Sequence, residues 1–232
     1  MFFDPRAFLF VLPVLLVAGL AHWWVRSVLR EARLIPTRTG ATGSEAATAV
    51  LNAAGIGGVF IEDVAGQHLD HYSPAEQGVL LRPEVHDGAN LMAVGIAAHE
   101  TGHAIQDADR HPFLPAHTAI VLAATCGSLI GMILFVGGFL VVSSFLVYVG
   151  LAAFTATVLA QLVNLPIEFN ANRRAGQFLV ATGVIFPEEE RAVRRVMEAA
   201  ALTYLAATLT SLPTAYHYLV RPRRRVRDQK VA

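Results

Sequence analysis

The chain has 232 residues, of which 54% are hydrophobic and only 16% charged, with a formal net charge of zero. Soluble domains carry roughly 25% charged residues, so this composition points to a membrane protein, and the neutral balance argues against nucleic acid as a partner. One cysteine, Cys126, excludes an internal disulfide framework and leaves His, Asp and Glu to hold any metal.

In chain order, residues 7–25 form an apolar run long enough for one crossing, followed by Arg26, Arg30 and Arg33. A signal peptide is the rival reading, disfavoured by a barely basic start and no small-residue cleavage site. In the polar segment 34–117, Ser44 is the expected cap of a helix over 45–53 that Gly55 closes. Short strands are predicted at 58–64 and 78–82, with a turn at Ser73-Pro74, and Asn90 should cap a helix over 91–107.

Residues 118–167 then run without a single Asp, Glu, Lys, Arg or His. As one helix they would extend about 75 Å at 1.5 Å per residue. A bilayer core is about 30 Å thick. The run is therefore two crossing helices, reversing between Gly137-Gly138 and Ser143-Ser144. A charged helical segment follows at 168–198, then a fourth apolar run at 199–220 and an Arg-rich tail at 221–232. The expected architecture is a mainly α membrane protein with about four transmembrane helices: an anchor (1–33), a small α+β segment at the membrane face (34–117), a hairpin (118–167), a charged helical loop and a last crossing.

Helix 91–107 contains His99-Glu100-Thr101-Gly102-His103, an H-E-x-x-H pattern. Spacing of four residues puts both imidazoles on one helix face, where they can reach one tetrahedral zinc. Glu100 is placed beside that face to take a proton from water attacking a carbonyl. The flanking residues Leu91, Met92, Val94, Ile96, Ala97 and Ala98 predict a buried helix, and buried histidines and glutamate need partners. A hydrolytic zinc needs a third protein ligand. A hairpin of two crossings returns the chain to the face it left, so Glu168, directly after the uncharged run, is the choice, with His111 the alternative. Asn172, one turn on, is a hydrogen-bonding support for a ligand histidine. His71 and Tyr72 are candidates to stabilise an oxyanion, Gln106 shares the face of His103, and the strand 78–82 is a candidate edge for a peptide substrate.

The ordered set Asp70-His-Tyr-Ser-Pro74, Leu80-Leu-Arg-Pro-Glu-Val85, Ala97-Ala-His-Glu-Thr-Gly-His-Ala-Ile-Gln106, Leu165-Pro-Ile-Glu-Phe-Asn-Ala-Asn-Arg-Arg-Ala175 and Ala199-Ala-Ala-Leu-Thr-Tyr204 resembles the membrane zinc metallopeptidases of the YugP type. The order of anchor, H-E-x-x-H, hairpin and glutamate is also similar to HtpX-like proteases. The resemblance implies a membrane-bound zinc endopeptidase in which Glu168 completes the site, with protein or peptide substrates and the lipid bilayer as partners. This chain departs at Ser73, where the pattern has Asp, and at Asn170 and Asn172, where it has Asp and Ser.

Arginines after the first run and at 173, 174, 191, 194 and 195 fall on one face of the membrane, which the positive-inside rule makes cytoplasmic, as in a bacterial inner membrane. The basic tail opposes this if the last run spans. The rival function is a non-catalytic membrane scaffold or chaperone with a structural zinc. Glu100 separates the two, since a structural metal has no need of a carboxylate that is not a ligand.

Overall fold

The computed structural model describes residues 5–64 and 70–220. It is predominantly helical: α1 (Pro5–Arg33), α2 (Gly43–Ala53), α3 (Pro83–His86), α4 (Leu91–Ala108), α5 (Leu114–Leu140), α6 (Ser144–Leu179) and α7 (Pro187–Val220). Three short strands, β1 (Phe60–Asp63), β2 (His71–Ser73) and β3 (Gly78–Leu81), form one sheet in the order β1-β3-β2, with β1 parallel and β2 antiparallel to β3. The strand β2 escaped the sequence reading, being three residues long with Pro74 directly after it. The strand β3 is paired on both sides, so a peptide cannot add to it; the edges of the sheet are β1 and β2.

Local chemistry sets the ends of the elements. The cap of α2 is Thr42, not Ser44 as expected. Thr42 accepts from the Glu45 amide while the Glu45 side chain accepts from the Thr42 amide, a reciprocal arrangement that needs Glu three residues after the cap. At the other end, Gly55 at φ 72° lets its own amide and that of Ile56 close on the carbonyls of Asn52 and Leu51. Asn90 caps α4 as expected, its Oδ1 accepting from the Ala93 amide at 3.0 Å.

The helix α4 is the centre of the molecule, buried at every residue from Leu91 to Gln106. Around it pack α2, the sheet, and the stretches of α6 and α7 that contribute Ala175, Leu179, Val193, Val196 and Met197. Two glycines set its distance from its neighbours. A Cβ on Gly95 would meet Val196 of α7 at 2.5 Å, and one on Gly102 would meet the Ala171 carbonyl of α6 at 2.4 Å.

The uncharged run is a helical hairpin, turning at residues 141–143 between α5 and α6 as predicted. Glycine allows the close approach: a Cβ on Gly150 would lie 2.4 Å from the Phe135 amide nitrogen, and one on Gly138 2.6 Å from that of Val147. The outer faces carry exposed Ile133, Phe145, Tyr148, Leu162 and Val163. Among the described residues, two helices, α5 and α6, are long and apolar enough to cross a membrane, against the four expected. The other two expected spans lie in α1 and α7, where side chains 1–15 and 204–220 fall outside the described residues, as does the tail. The loop expected at 168–198 is not a separate element. The helix α6 continues through Glu168 to Leu179, and α7 joins the charged segment to the last apolar run without a break.

Candidate metal centre

The side chains of His99 and His103 leave one face of α4, with ring centroids 5.0 Å apart. Glu168 descends from α6 onto the same point. Its Oε2 lies 3.3 Å from His99 Nε2 and 3.5 Å from His103 Nε2, and all three side chains are almost completely buried. The Gly102–Ala171 approach makes this meeting possible, because any larger residue at 102 would hold α6 away.

Three side-chain amides fix the state of these groups. Asn172 donates through Nδ2 to the Met197 carbonyl, which leaves its Oδ1 to accept from His99 Nδ1 at 2.7 Å. Gln106 donates through Nε2 to the Ile167 carbonyl and to Asn170 Oδ1, which leaves its Oε1 for His103 Nδ1 at 3.0 Å. Each imidazole thus holds a proton on Nδ1 and turns Nε2 toward Glu168. Glu168 Oε2 is buried without a hydrogen-bond partner. Asn164 Nδ2 donates to the other carboxylate oxygen, Oε1, at 3.1 Å.

Two nitrogens and a carboxylate oxygen therefore converge. Zinc bonds of about 2.0–2.2 Å in a tetrahedron place ligand atoms roughly 3.3–3.6 Å apart. The observed 3.3 and 3.5 Å match that edge. The residues fit the metal. Without a metal, burial works against a proton on His99, but Glu168 and Glu100 outweigh it and raise its pKa to about 9.

Glu100 stands beside this group. Its Oε2 accepts from the Tyr72 backbone amide at 3.0 Å, while Oε1 lies 3.9 Å from His99 Nε2. Burial raises the Glu100 pKa, opposed by His99 and His103. A carboxyl held by a backbone amide on one oxygen and raised toward neutrality by burial is suited to accept and return a proton.

The family model described as "putative neutral zinc metallopeptidase" matches residues 7–222. The chain belongs to this family. It is 37% identical over 207 residues to the Bacillus subtilis (strain 168) protein named "Putative membrane protease YugP", an alignment covering 88% of this chain and 92% of the relative. No solved structure matches. Membership in a zinc metallopeptidase family makes zinc the cofactor.

The other residues singled out from the sequence fall at different distances from this centre. Asn172 touches His99 and Gln106 touches His103. The Tyr72 hydroxyl is taken by Asp107 Oδ2 at 2.7 Å, and burial together with that carboxylate raises its pKa. Its backbone amide, rather than its side chain, meets Glu100. His71 lies half-buried on the same strand, where alternation turns it to the opposite face from Tyr72. His111 follows α4, with its ring against Phe113 and its Nδ1 buried without a partner, and it joins neither cluster of metal-capable groups found among the described residues. Those clusters are His99, Glu100 and His103, and His103, His117 and Glu168.

His117 and Asn164 were missed. The available signal was the hairpin itself, since the fold that returns Glu168 to α4 also sets residue 117 opposite residue 168.

Proposed function

We propose that the protein is a membrane-embedded zinc endopeptidase of the H-E-x-x-H type, with His99, His103 and Glu168 as metal ligands and Glu100 as the general base. The observation that carries this reading is the convergence of two bare Nε2 atoms and an unpartnered Glu168 Oε2 at tetrahedral spacing, with Glu100 Oε1 alongside. Three protein ligands leave a fourth position open, as hydrolysis needs and a structural site does not. Bound zinc supplies a Lewis acid that acidifies water and polarises a peptide carbonyl. Glu100 takes the proton of the attacking water on Oε1 while the Tyr72 amide holds Oε2 in place. The same oxygen then delivers that proton to the nitrogen of the departing amine. Gln106 and Asn172 keep the imidazoles in the tautomer that presents Nε2.

Residues 34–117 serve as the zincin-like catalytic segment, 118–167 as the membrane hairpin, and the start of 168–198 as the source of the third ligand. The exposed apolar faces of α5 and α6 support membrane insertion, as does the name of the Bacillus relative. Arginines at 26, 30, 33, 173 and 174 favour a cytoplasmic site. Reporters fused after Arg33 and after Arg174 should both read as cytoplasmic, and opposite answers would break this topology.

Glu100→Gln is the direct test of the enzyme reading. The variant keeps all three ligands and should bind zinc normally, while cleavage of an unfolded protein such as casein falls by about 10²–10⁴-fold. Wild-type cleavage should stop with a chelator and return with zinc. Identical cleavage by wild type and Glu100→Gln would leave a scaffold with a structural metal.

A further inference from the structure

Only one oxygen of Glu168 faces His99 and His103, and the reason lies in the hairpin. Asn164 sits one helical turn before Glu168 on α6, 1% exposed, and its Nδ2 donates to Glu168 Oε1. That donation leaves Asn164 Oδ1 as an acceptor, and His117 Nδ1 on the first turn of α5 meets it at 2.9 Å. His117 Nδ1 also lies 3.4 Å from Glu168 Oε1. The His117 ring stacks on His103, with centroids 4.7 Å apart and planes 20° from parallel. Asn164 therefore cannot turn its amide without losing His117, and His117 cannot tilt without leaving His103.

We propose that Asn164 and His117 are positioning residues that restrict Glu168 to a single coordinating oxygen and so keep the fourth metal position open for water and substrate. The proposal rests on the reading of Glu168 as a ligand. A glutamate with both oxygens free can chelate zinc through the pair and fill the place that hydrolysis needs. Here the second oxygen is already taken. Because the clamp comes from α5 and α6, ligation of the metal is tied to the seating of one membrane helix against the other.

The test uses the full-length protein in detergent, with zinc affinity read by chelator competition and geometry read from the visible bands of the cobalt-loaded form. Those bands weaken as coordination number rises. Asn164→Leu should lower zinc affinity by about 10–100-fold, the range for groups that support a ligand, and weaken the cobalt bands. His117→Ala should shift both readouts in the same direction. His117→Asn, which offers an amide N–H near the place of Nδ1, should restore them. Should Asn164→Leu fail to fold, the two His117 variants carry the test.

Thr157→Val is the control for packing. Thr157 lies on the same seam, facing Gly127, and its hydroxyl donates to the Ala153 carbonyl of its own helix, so its change should leave affinity and spectrum as in wild type. The proposal is overturned if Thr157→Val weakens zinc as much as Asn164→Leu does. It is equally overturned if Asn164→Leu and His117→Ala match wild type in both readouts while Glu168→Ala loses the metal, a result that spares Glu168 as ligand. Full zinc binding by Glu168→Ala would remove the ligand assignment and the clamp with it.

Discussion

The helices α4 and α6 bring His99, His103 and Glu168 to one point, yet they carry polar groups into the interior on different terms. α4 is enclosed on every side from Leu91 to Gln106, so each polar group on it must find a protein partner or a metal. α6 is enclosed along one seam, where Thr157, Gln161, Asn164, Glu168 and Asn172 follow one another at three- and four-residue steps, while Leu159, Leu162 and Val163 face outward. The chemistry of α4 is therefore set by local sequence, two histidines one turn apart. That of α6 depends on how the hairpin seats it. A site built from both depends on the seating of the hairpin as well as on α4.

The sharpest way to break this comparison is to remove ligands from each side. His99→Ala, His103→Ala and Glu168→Ala should each reduce zinc content from one per chain to near zero, measured by metal analysis of the purified protein. The loss should exceed the roughly 10–100-fold of a supporting residue. If the two histidine variants lose zinc and Glu168→Ala does not, the centre belongs to α4 alone. Retention by Glu168→Ala together with loss in His111→Ala would identify His111 as the third ligand.

A smaller effect should follow from Asn172→Leu. It leaves every ligand in place but frees His99 Nδ1 of the oxygen that fixes its tautomer. Zinc affinity should fall by about 10–100-fold. An unchanged affinity would show that α4 orients its own histidines without help from α6.

Gly102→Ala probes the contact between the two helices. The added methyl would sit 2.4 Å from the Ala171 carbonyl oxygen, so α6 must move away and carry Glu168 with it. Overpacking of this kind costs about 1–3 kcal/mol, read as a lower thermal midpoint, and zinc affinity should fall although no ligand changes. A destabilised variant with wild-type affinity would show that Glu168 tolerates the displacement.

The smallest expected effect is that of Tyr72→Phe. It removes the hydroxyl donated to Asp107, worth about 1 kcal/mol, but leaves the backbone amide that holds Glu100. Stability should drop slightly and cleavage should stay within a few-fold of wild type. A loss of about 10²–10³-fold, the size expected for an oxyanion donor, would return that role to the phenol.

Much of this could be read before any coordinates. The i, i+4 histidines, the buried character of α4 and the reversal near residue 142 all follow from spacing and from the length of apolar chain a bilayer accepts. The sequence pattern also brought Glu168 back beside α4 by counting crossings. It placed the α2 cap two residues late at Ser44, because Ser is a good cap taken alone and the decisive partner, Glu45, suits Thr42 instead. It passed over β2, whose pairing with β3 is supplied by neighbours and not by its own three residues.

What the sequence by itself determined is therefore the set of groups that share a helix face and the reversal of the uncharged run into two helices. These depend on helical periodicity and on distance along one chain. Only the tertiary structure decided which amide fixes which imidazole, that the Tyr72 backbone meets Glu100, and that His117 and Asn164 hold the far oxygen of Glu168. Each of these is a hydrogen bond whose donor and acceptor converge within about 3 Å. Most of them join separate helices, or a strand and a helix, and no periodicity within a single element encodes such a meeting.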